Sequence, residues 1–531
     1  MRAKRGQEAP LEPFVVACCQ VRAHALDDAE ENLQGLLRAL DEAGDAGAQL
    51  VALPECAYPA YYVRDSDPYA RPGVRPFAEV TALFAEKARR YGYWLAAGMA
   101  VPHEDGSLTN SGVIFDPSGE MVGRYDKGFL WHFDNFWFRR GDAFPVFDAG
   151  FAHFGVLICA DGRQPEIARS LAVNGAEVIL DLTAWVSWAS SVEQLSTTQC
   201  EYLMPARAFE NGVWVAAADK WGPEDNTLIY AGRSCVIDPE GKTRVAAPST
   251  GDQVVTYTID PADASATAVP RRPSLYGRLT EPWERAPARA LLEEPMVPAD
   301  ENRRIAVVPG SGELFDTGTV IARYEALREQ DCDLTVFGGE VGNEGWQGAL
   351  PAVEKAVRAN GGAVAFAVAT NGCTMEQAAV LVTPDETVEH RATHGRGIDL
   401  GESTAPVTRT EAGNVGLVCG DEGLAPEVAR CLALEGADVI AWPTFGDHAM
   451  NERIARARSD ENRVYTAAAW SAGGVITSPT GAPLTAVPAG TDMAMAAQVN
   501  RSQARWKDMA PGTHALRDRV PEAYGALVAD R

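Results

Sequence analysis

The chain has no run approaching the roughly 18 to 20 apolar residues that a bilayer-spanning helix requires, so no membrane partner is expected. A basic excess is missing as well. Lysine and arginine total 47 against 73 acidic residues, a net charge of −26. That argues against nucleic acid and anionic membranes, which need a basic footprint, and the acid surplus is read as a solvated surface. The ten cysteines are scattered without a CxxC pair or regular spacing. They fit reduced thiols in a cytoplasmic protein better than a disulfide framework. MRAKRGQEAPLEPF carries charge but no apolar core, so it is not expected to act as a secretory signal. VPGSGE (308–313) and FGGEVGNEG (337–345) match neither a P-loop nor a dinucleotide fingerprint and are read as turns. His390 and His394 have the i, i+4 spacing of a metal pair, but HRATH lacks the glutamate of HExxH. Neither a metal nor an organic cofactor is expected.

What is present is a soluble α/β pattern, 46% apolar and 23% charged over 531 residues. That length exceeds one ordinary core and implies two domains, or three. FVVACCQV (14–21) predicts a buried strand. Leu33, Leu36, Leu37 and Leu40 recur at helical spacing after it, and LVALPE follows as a second strand. The alternation continues through ALFAEKARRYG, YWLAAGMAV, SGVIFDPSGE, QPEIARSLAVNG and AEVILDLT, the signature of layered α/β architecture.

The chain also repeats itself. FGVLICADGRQPEIARSLAVNGAEVILDLT (154–183) matches VGLVCGDEGLAPEVARCLALEGADVIAWPT (415–444), with one residue added after the cysteine of the second copy. ARAFENGVWVAAA (206–218) matches ARSDENRVYTAAA (457–469), and RPSLYGRL answers RVPEAYGAL near the ends of the halves. Two domains of one ancestry are expected, at 12–285 and 303–531, joined by a polar, Pro-containing junction near 286–304. The period is far too long for a solenoid.

Three residues in the first half carry plausible chemistry. Cys159 ends the apolar strand GVLIC, and the chain turns through ADGRQ into a helix with Pro165 in its first turn. A cysteine ending a strand is ordinarily a small core residue. This one stands at a strand's carboxyl end, where open α/β sheets place ligands, with backbone N–H groups following it. Glu55 ends the strand LVALP; in isolation it reads equally well as a surface carboxylate. Lys127 sits among Phe129, Trp131, Phe133, Phe136, Trp137 and Phe138. An aromatic wall favours a desolvated, purposeful lysine, although such rings serve equally in core packing. A thiol, a carboxylate and an ammonium suit attack on a carbonyl or nitrile carbon.

PE (54–55), YDK (125–127) and CADGRQPE (159–166), with RAFEN (207–211) and GRSCVIDPEG (232–241), resemble the blocks of the nitrilase, or carbon–nitrogen hydrolase, superfamily over residues 12–280. The resemblance implies two tandem αββα sandwich domains, with Cys159 as nucleophile, Glu55 as general base and acid, and Lys127 stabilising the tetrahedral intermediate together with the Ala160 N–H. Asp134 stands where the family often carries a second glutamate. Ala160-Asp161 is not the Trp-Glu that accompanies nitrilases, which favours an amide or carbamoyl substrate over a nitrile. Arg163 suits a substrate carboxylate, or equally an ion pair with Asp161 or Glu166.

In the second half Glu340 and Cys419 are expected to mirror Glu55 and Cys159, while Thr393 falls opposite Lys127. A degenerate copy follows, in which His394 or Arg396 is the available substitute for the lysine. The helix after the cysteine is kept in both halves and resembles one that lies at the family's subunit interface. An intramolecular pseudo-dimer is therefore expected, and further homo-oligomerisation is compatible with it. The expected function is an amidase- or carbamoylase-like hydrolase. A nitrilase and a non-catalytic binding or regulatory protein are the alternatives.

Overall fold

Alternation within single strands decides how the sheets are covered. In the computed structural model, which describes residues 12–529 apart from 65, 266, 294–301, 311–314, 341–345, 371–374, 396–397 and 489, the first strand is Phe14–Arg22. Its Phe14, Val16 and Cys18 face one apolar cluster, and Ala17, Cys19 and Val21 face another. Successive side chains point to opposite faces of a strand, so a continuous apolar run is what a sheet covered on both sides requires. The second cluster is completed by Leu33, Leu36 and Leu40 of the helix Ala29–Asp45, and by Val80 and Phe84 of Phe77–Tyr91. The latter helix stops at Gly92, whose φ of +70° is a left-handed cap.

Leu50–Ala52 pairs parallel with Phe14–Arg22 and with Trp94–Pro102. Leu108–Phe115 and Met121–Asp126 extend that sheet antiparallel, and Gln253–Ile259 closes its other side. His153–Ile158, Val178–Thr183 and Trp214–Glu224 form a second parallel set. The two sets join at Val21 with Lys220 and Arg22 with Trp221.

The second half repeats this plan. Asn302–Val308, Leu334–Glu340 and Ala363–Thr370 run parallel, and Met375–Val382 and Thr387–Arg391 follow antiparallel. Gly413–Leu417, Val439–Pro443 and Tyr465–Trp470 form the second parallel set. Ile305 and Val307 face the inter-sheet cluster, while Ala306 and Val308 face the helices Thr317–Arg328 and Trp346–Asn360. The FGGEVGNEG segment, expected as a turn, divides: Phe337–Glu340 complete a strand, and 341–345 fall outside the described residues. Among the described residues no helix is long and apolar enough to cross a membrane.

The halves pack through the helices Pro165–Val173 and Met204–Asn211 against Pro426–Leu434 and Asn451–Asn462. Ile167, Leu171 and Met204 share one cluster with Val428, Leu432 and Ile454. Buried ion pairs cross this contact in exchanged form. Arg169 Nε lies 2.9 Å from Glu427 Oε1, and Arg430 Nε lies 2.9 Å from Glu166 Oε1. Arg207 reaches Glu210 and Glu461, each at 2.6 Å, while Arg458 reaches Glu210 and Glu461, each at 2.8 Å. Residue i meeting j while j meets i is the geometry of a two-fold dimer, here built within one chain as a pseudo-dimer. Removing any one partner strands a buried charge, so these pairs fix the docking strictly.

Candidate active site

Glu55 follows the strand Leu50–Ala52, and Lys127 follows Met121–Asp126. Their side chains meet in the interior: Lys127 Nζ lies 2.6 Å from Glu55 Oε1 and 2.6 Å from Asp134 Oδ2. Asn110 joins them, its Nδ2 donating to Glu55 Oε1 at 2.7 Å and to Asp134 Oδ1 at 3.4 Å. The Trp131 N–H donates to Asp134 Oδ2 at 2.8 Å. Asp134, one methylene shorter than the glutamate often found there, therefore still reaches the ammonium. Glu55, Lys127 and Asp134 are buried, whereas Cys159 is partly exposed. Of these four residues, Cys159 is the one that keeps some exposed surface.

Cys159 opens a single 3-10 turn, Cys159–Arg163, directly after His153–Ile158. Its φ is +49°, a left-handed conformation that costs a non-glycine residue roughly 1–2 kcal/mol. Two buried carboxylates hold this bend. Asp181 Oδ1 accepts the Cys159 N–H at 3.0 Å. Asp161 accepts from the Ile158 N–H at 2.9 Å, the Phe129 N–H at 2.7 Å and the Tyr125 hydroxyl at 2.7 Å. The Asp161 contacts also bind the cysteine turn to the loop after Lys127. Gln199 Nε2 donates to the Cys159 carbonyl at 2.8 Å. Ala160 is the second residue of the turn, where a backbone N–H lies outside the turn's own hydrogen bonds.

The electrostatics are those of a neutral thiol beside a basic carboxylate. Burial, then Glu55, pushes the Cys159 thiol well above its ordinary pKa, against the opposite pull of Lys127. Burial raises Glu55; Lys127 pulls it down and Asp134 pushes it up, and the net direction is upward. Burial by itself would lower Lys127, but Asp134 and Glu55 outweigh it and hold the ammonium charged. Among the described residues no group of three or more His, Cys, Asp or Glu side chains is arranged to hold a metal ion.

Arg163 is placed otherwise than expected. Its Nη1 lies 3.2 Å from Asp460 Oδ2, contributed by the second half, and its guanidinium lies 4.8 Å over the Trp131 ring. Its ion-pair partner is therefore neither Asp161, held by backbone N–H groups, nor Glu166, paired with Arg430.

The second half corrects two expected equivalences. In the strand pairing Ile158 stands beside Leu182, and by the same register the residue at its place in the second half is Cys419. The cap repeats there, with Glu422 Oε2 accepting the Cys419 N–H at 2.7 Å as Asp161 accepts that of Ile158. The left-handed residue is Gly420, with φ +53°. Cys419 is thus a buried core residue one position early, and glycine stands where Cys159 does. Lys127 donates its N–H to the Asn110 carbonyl and accepts from Gly141; Ala392 donates to Gln377 and accepts from Gly401. Ala392, rather than Thr393, therefore takes the lysine's place. A bulge between Ile114 and Phe115 in the first half accounts for the shift of one. His394 bonds to the Tyr276 hydroxyl at 2.6 Å and His390 to Glu422 at 2.9 Å, so neither substitutes for the lysine. Arg396 lies outside the described residues, and Glu340 ends its strand as Glu55 follows its own.

Asn110 and Asp181 were missed from the sequence. Asp181 did leave a signal, as the one charge inside the apolar strand VILDLT; Asn110 left none.

A family model described as carbon–nitrogen hydrolase matches residues 15–269 and again 314–507. The chain belongs to the carbon–nitrogen hydrolase family. A nitrilase from Pyrococcus abyssi is 34% identical over 46% of this hydrolase and 89% of the relative. An omega-amidase from Xenopus laevis is 31% identical over 43% of the chain and 83% of the relative. A human omega-amidase is 29% identical over 47% and 90%. Among solved structures, an amidase from Nesterenkonia sp. aligns at 26% identity and a TM-score of 0.42, covering 48% of this chain and 94% of its own.

Proposed function

We propose that the first half hydrolyses a linear amide or N-carbamoyl compound through a thioester on Cys159. The observation that carries this reading is the buried ammonium of Lys127, held 2.6 Å from both Glu55 and Asp134, with Cys159 on a left-handed bend within electrostatic reach of Glu55 and Lys127. Glu55 accepts the thiol proton as sulfur attacks the carbonyl carbon. Its raised pKa makes it a stronger base than an ordinary glutamate. Lys127 and the Ala160 N–H stabilise the oxyanion. Collapse expels ammonia or an amine, which takes its proton from Glu55. Water, deprotonated by the same carboxylate, then releases the acid and restores the thiol.

Similarity to the Xenopus and human omega-amidases supports an amide substrate. Similarity to the Pyrococcus nitrilase favours a second reading, in which the same thiol attacks a nitrile. We also propose the domain limits 12–285 and 303–531, a cytosolic location in keeping with nine free thiols among the described residues, and a second half without turnover, since Gly420 and Ala392 replace nucleophile and lysine.

The test is ammonia release from a panel of linear amides, N-carbamoyl amino acids and nitriles, with Cys159→Ala as control and mass spectrometry of the quenched enzyme for an acyl adduct on Cys159. Turnover of an amide with such an adduct is expected. Equal turnover by Cys159→Ala would sink the mechanism. Adducts and release from nitriles alone would select the second reading.

A further inference from the structure

The two halves exchange their buried Arg–Glu contacts symmetrically, and the contact made by Arg163 departs from that symmetry. Arg207 and Arg458 are repeat partners: Arg207 Nε donates to the Gly162 carbonyl at 2.9 Å, and Arg458 Nε donates to that of Gly423 at 3.0 Å. One residue further along each turn, Arg163 corresponds to Leu424. One residue before Glu461 and Glu210 in each helix, Asp460 corresponds to Phe209. The intact side therefore carries an Arg163–Asp460 ion pair where the degenerate side carries Leu424, in the buried apolar cluster, and Phe209, packed against it.

Asp460 is buried and fully engaged. Its Oδ2 lies 3.2 Å from Arg163 Nη1 and accepts the Tyr202 hydroxyl at 2.9 Å, and its Oδ1 lies 3.5 Å from Arg463 Nη1. Arg163 ends the five-residue turn that Cys159 opens. Its guanidinium lies over Trp131, and the Trp131 N–H donates to the carboxylate that fixes Lys127. A continuous path thus runs from Asp460 through Arg163 and Trp131 to Asp134 and Lys127, and through the turn itself to Cys159. Burying a charged pair where an apolar pair also packs brings little stability, so its presence on the intact side alone points to a task there.

We propose that Asp460, a residue of the second half, is a positioning residue for the reaction at Cys159. It holds Arg163 on Trp131 so that the cysteine turn and the lysine loop keep one relative placement. The second half then acts as a built-in partner that completes the first half's site. This rests on the reading of Cys159 and Lys127 as the reacting pair.

The test is made on the full chain. Asp460→Asn is expected to lower kcat by about 10- to 100-fold, the scale of a misplaced reacting group, with KM changed less than about threefold. The double variant Arg163→Leu with Asp460→Phe places the other side's residue pair here. It is expected to show the same loss in kcat, and to melt lower than wild type because buried Arg463, which has Gly212 as its counterpart on the other side, loses its carboxylate. Glu427→Gln removes an interface charge away from the site and is expected to lower melting temperature but keep kcat. The rate of Cys159 alkylation by iodoacetamide, read by peptide mass spectrometry, follows the thiol without any substrate and is expected to change several-fold in Asp460→Asn but not in Glu427→Gln. Wild-type kcat and alkylation rate in both Asp460 variants would overturn the proposal. A wild-type protein no more active than Cys159→Ala would instead refute the underlying reading, and the alkylation rates would still decide the role of Asp460.

Discussion

Gly420 holds in the second half the left-handed position that Cys159 holds in the first, φ +53° against +49°. The bend survives in both copies, but only the first spends it on a thiol. Glycine adopts this backbone without strain and alanine does not. Cys159→Ala and Cys159→Gly are both expected to abolish turnover, with the glycine variant more stable by about 1 kcal/mol. Urea unfolding of the pair checks this; equal stabilities would remove strain from the account. Cys419→Ala is expected to keep activity within a few-fold, and a variant as dead as Cys159→Ala would overturn the division of roles.

Lys127→Ala is expected to lower the chemical rate by about 10² to 10³, the usual loss for an oxyanion donor. Single-turnover kinetics isolate that step. A change confined to KM would make the lysine a binding group only.

Asp134 sets the basicity of Glu55 as well as the position of Lys127. Burial raises Glu55, and the negative charge of Asp134 raises it further. Asp134→Asn removes that repulsion and leaves Lys127 to Glu55 alone. The acid limb of the kcat/KM profile, which follows Glu55 in the free enzyme, is therefore expected to move to lower pH. A limb that stays in place or moves upward would assign it to another group.

Lys507 is buried where its ammonium is poorly accommodated. Burial lowers its pKa to about 7, and its Nζ donates to the carbonyls of Asn462 and Arg463 at 3.2 and 2.7 Å. Above pH 7 the folded protein holds this lysine neutral while the unfolded chain, with a pKa near 10.4, still binds the proton. Stability contributed by Lys507 is therefore lost as pH falls through about 7 and grows from there toward pH 10. Between pH 7 and 9 the slope approaches about 1.4 kcal/mol per pH unit. Cysteines and tyrosines of the unfolded chain titrate in or near the same range, while burial raises them in the fold, so the quantity to measure is the difference between wild type and Lys507→Met in urea unfolding. A pH-independent difference would contradict the assignment.

The first half alone, roughly residues 1–290, is expected to be insoluble, inactive or newly self-associating. Separation would leave Arg169, Arg207 and Glu210 facing water beside the apolar surface of Ile167 and Leu171. Sedimentation and an activity assay check this. A monomeric, fully active fragment would remove the second half from the functional unit.

The sequence by itself determined the layers and the repeat, and marked Glu55, Lys127 and Cys159 as candidates, because each leaves a local mark. Alternating burial writes itself as continuous apolar strands, and Glu55 and Cys159 stand at the strand ends where a parallel sheet presents side chains. Register is not local. Matching letters placed Cys419 opposite Cys159 and Thr393 opposite Lys127. Strand pairing and one bulge put Gly420 and Ala392 there instead, because a shift of one residue reverses the face that every side chain meets. Long-range partners were equally invisible. Asn110 between Glu55 and Asp134, Asp181 under the Cys159 N–H, and Asp460 on Arg163 each depend on residues far apart in the chain. A buried polar group must find some partner, but which one it finds is decided only when the sheets and the two halves close on each other.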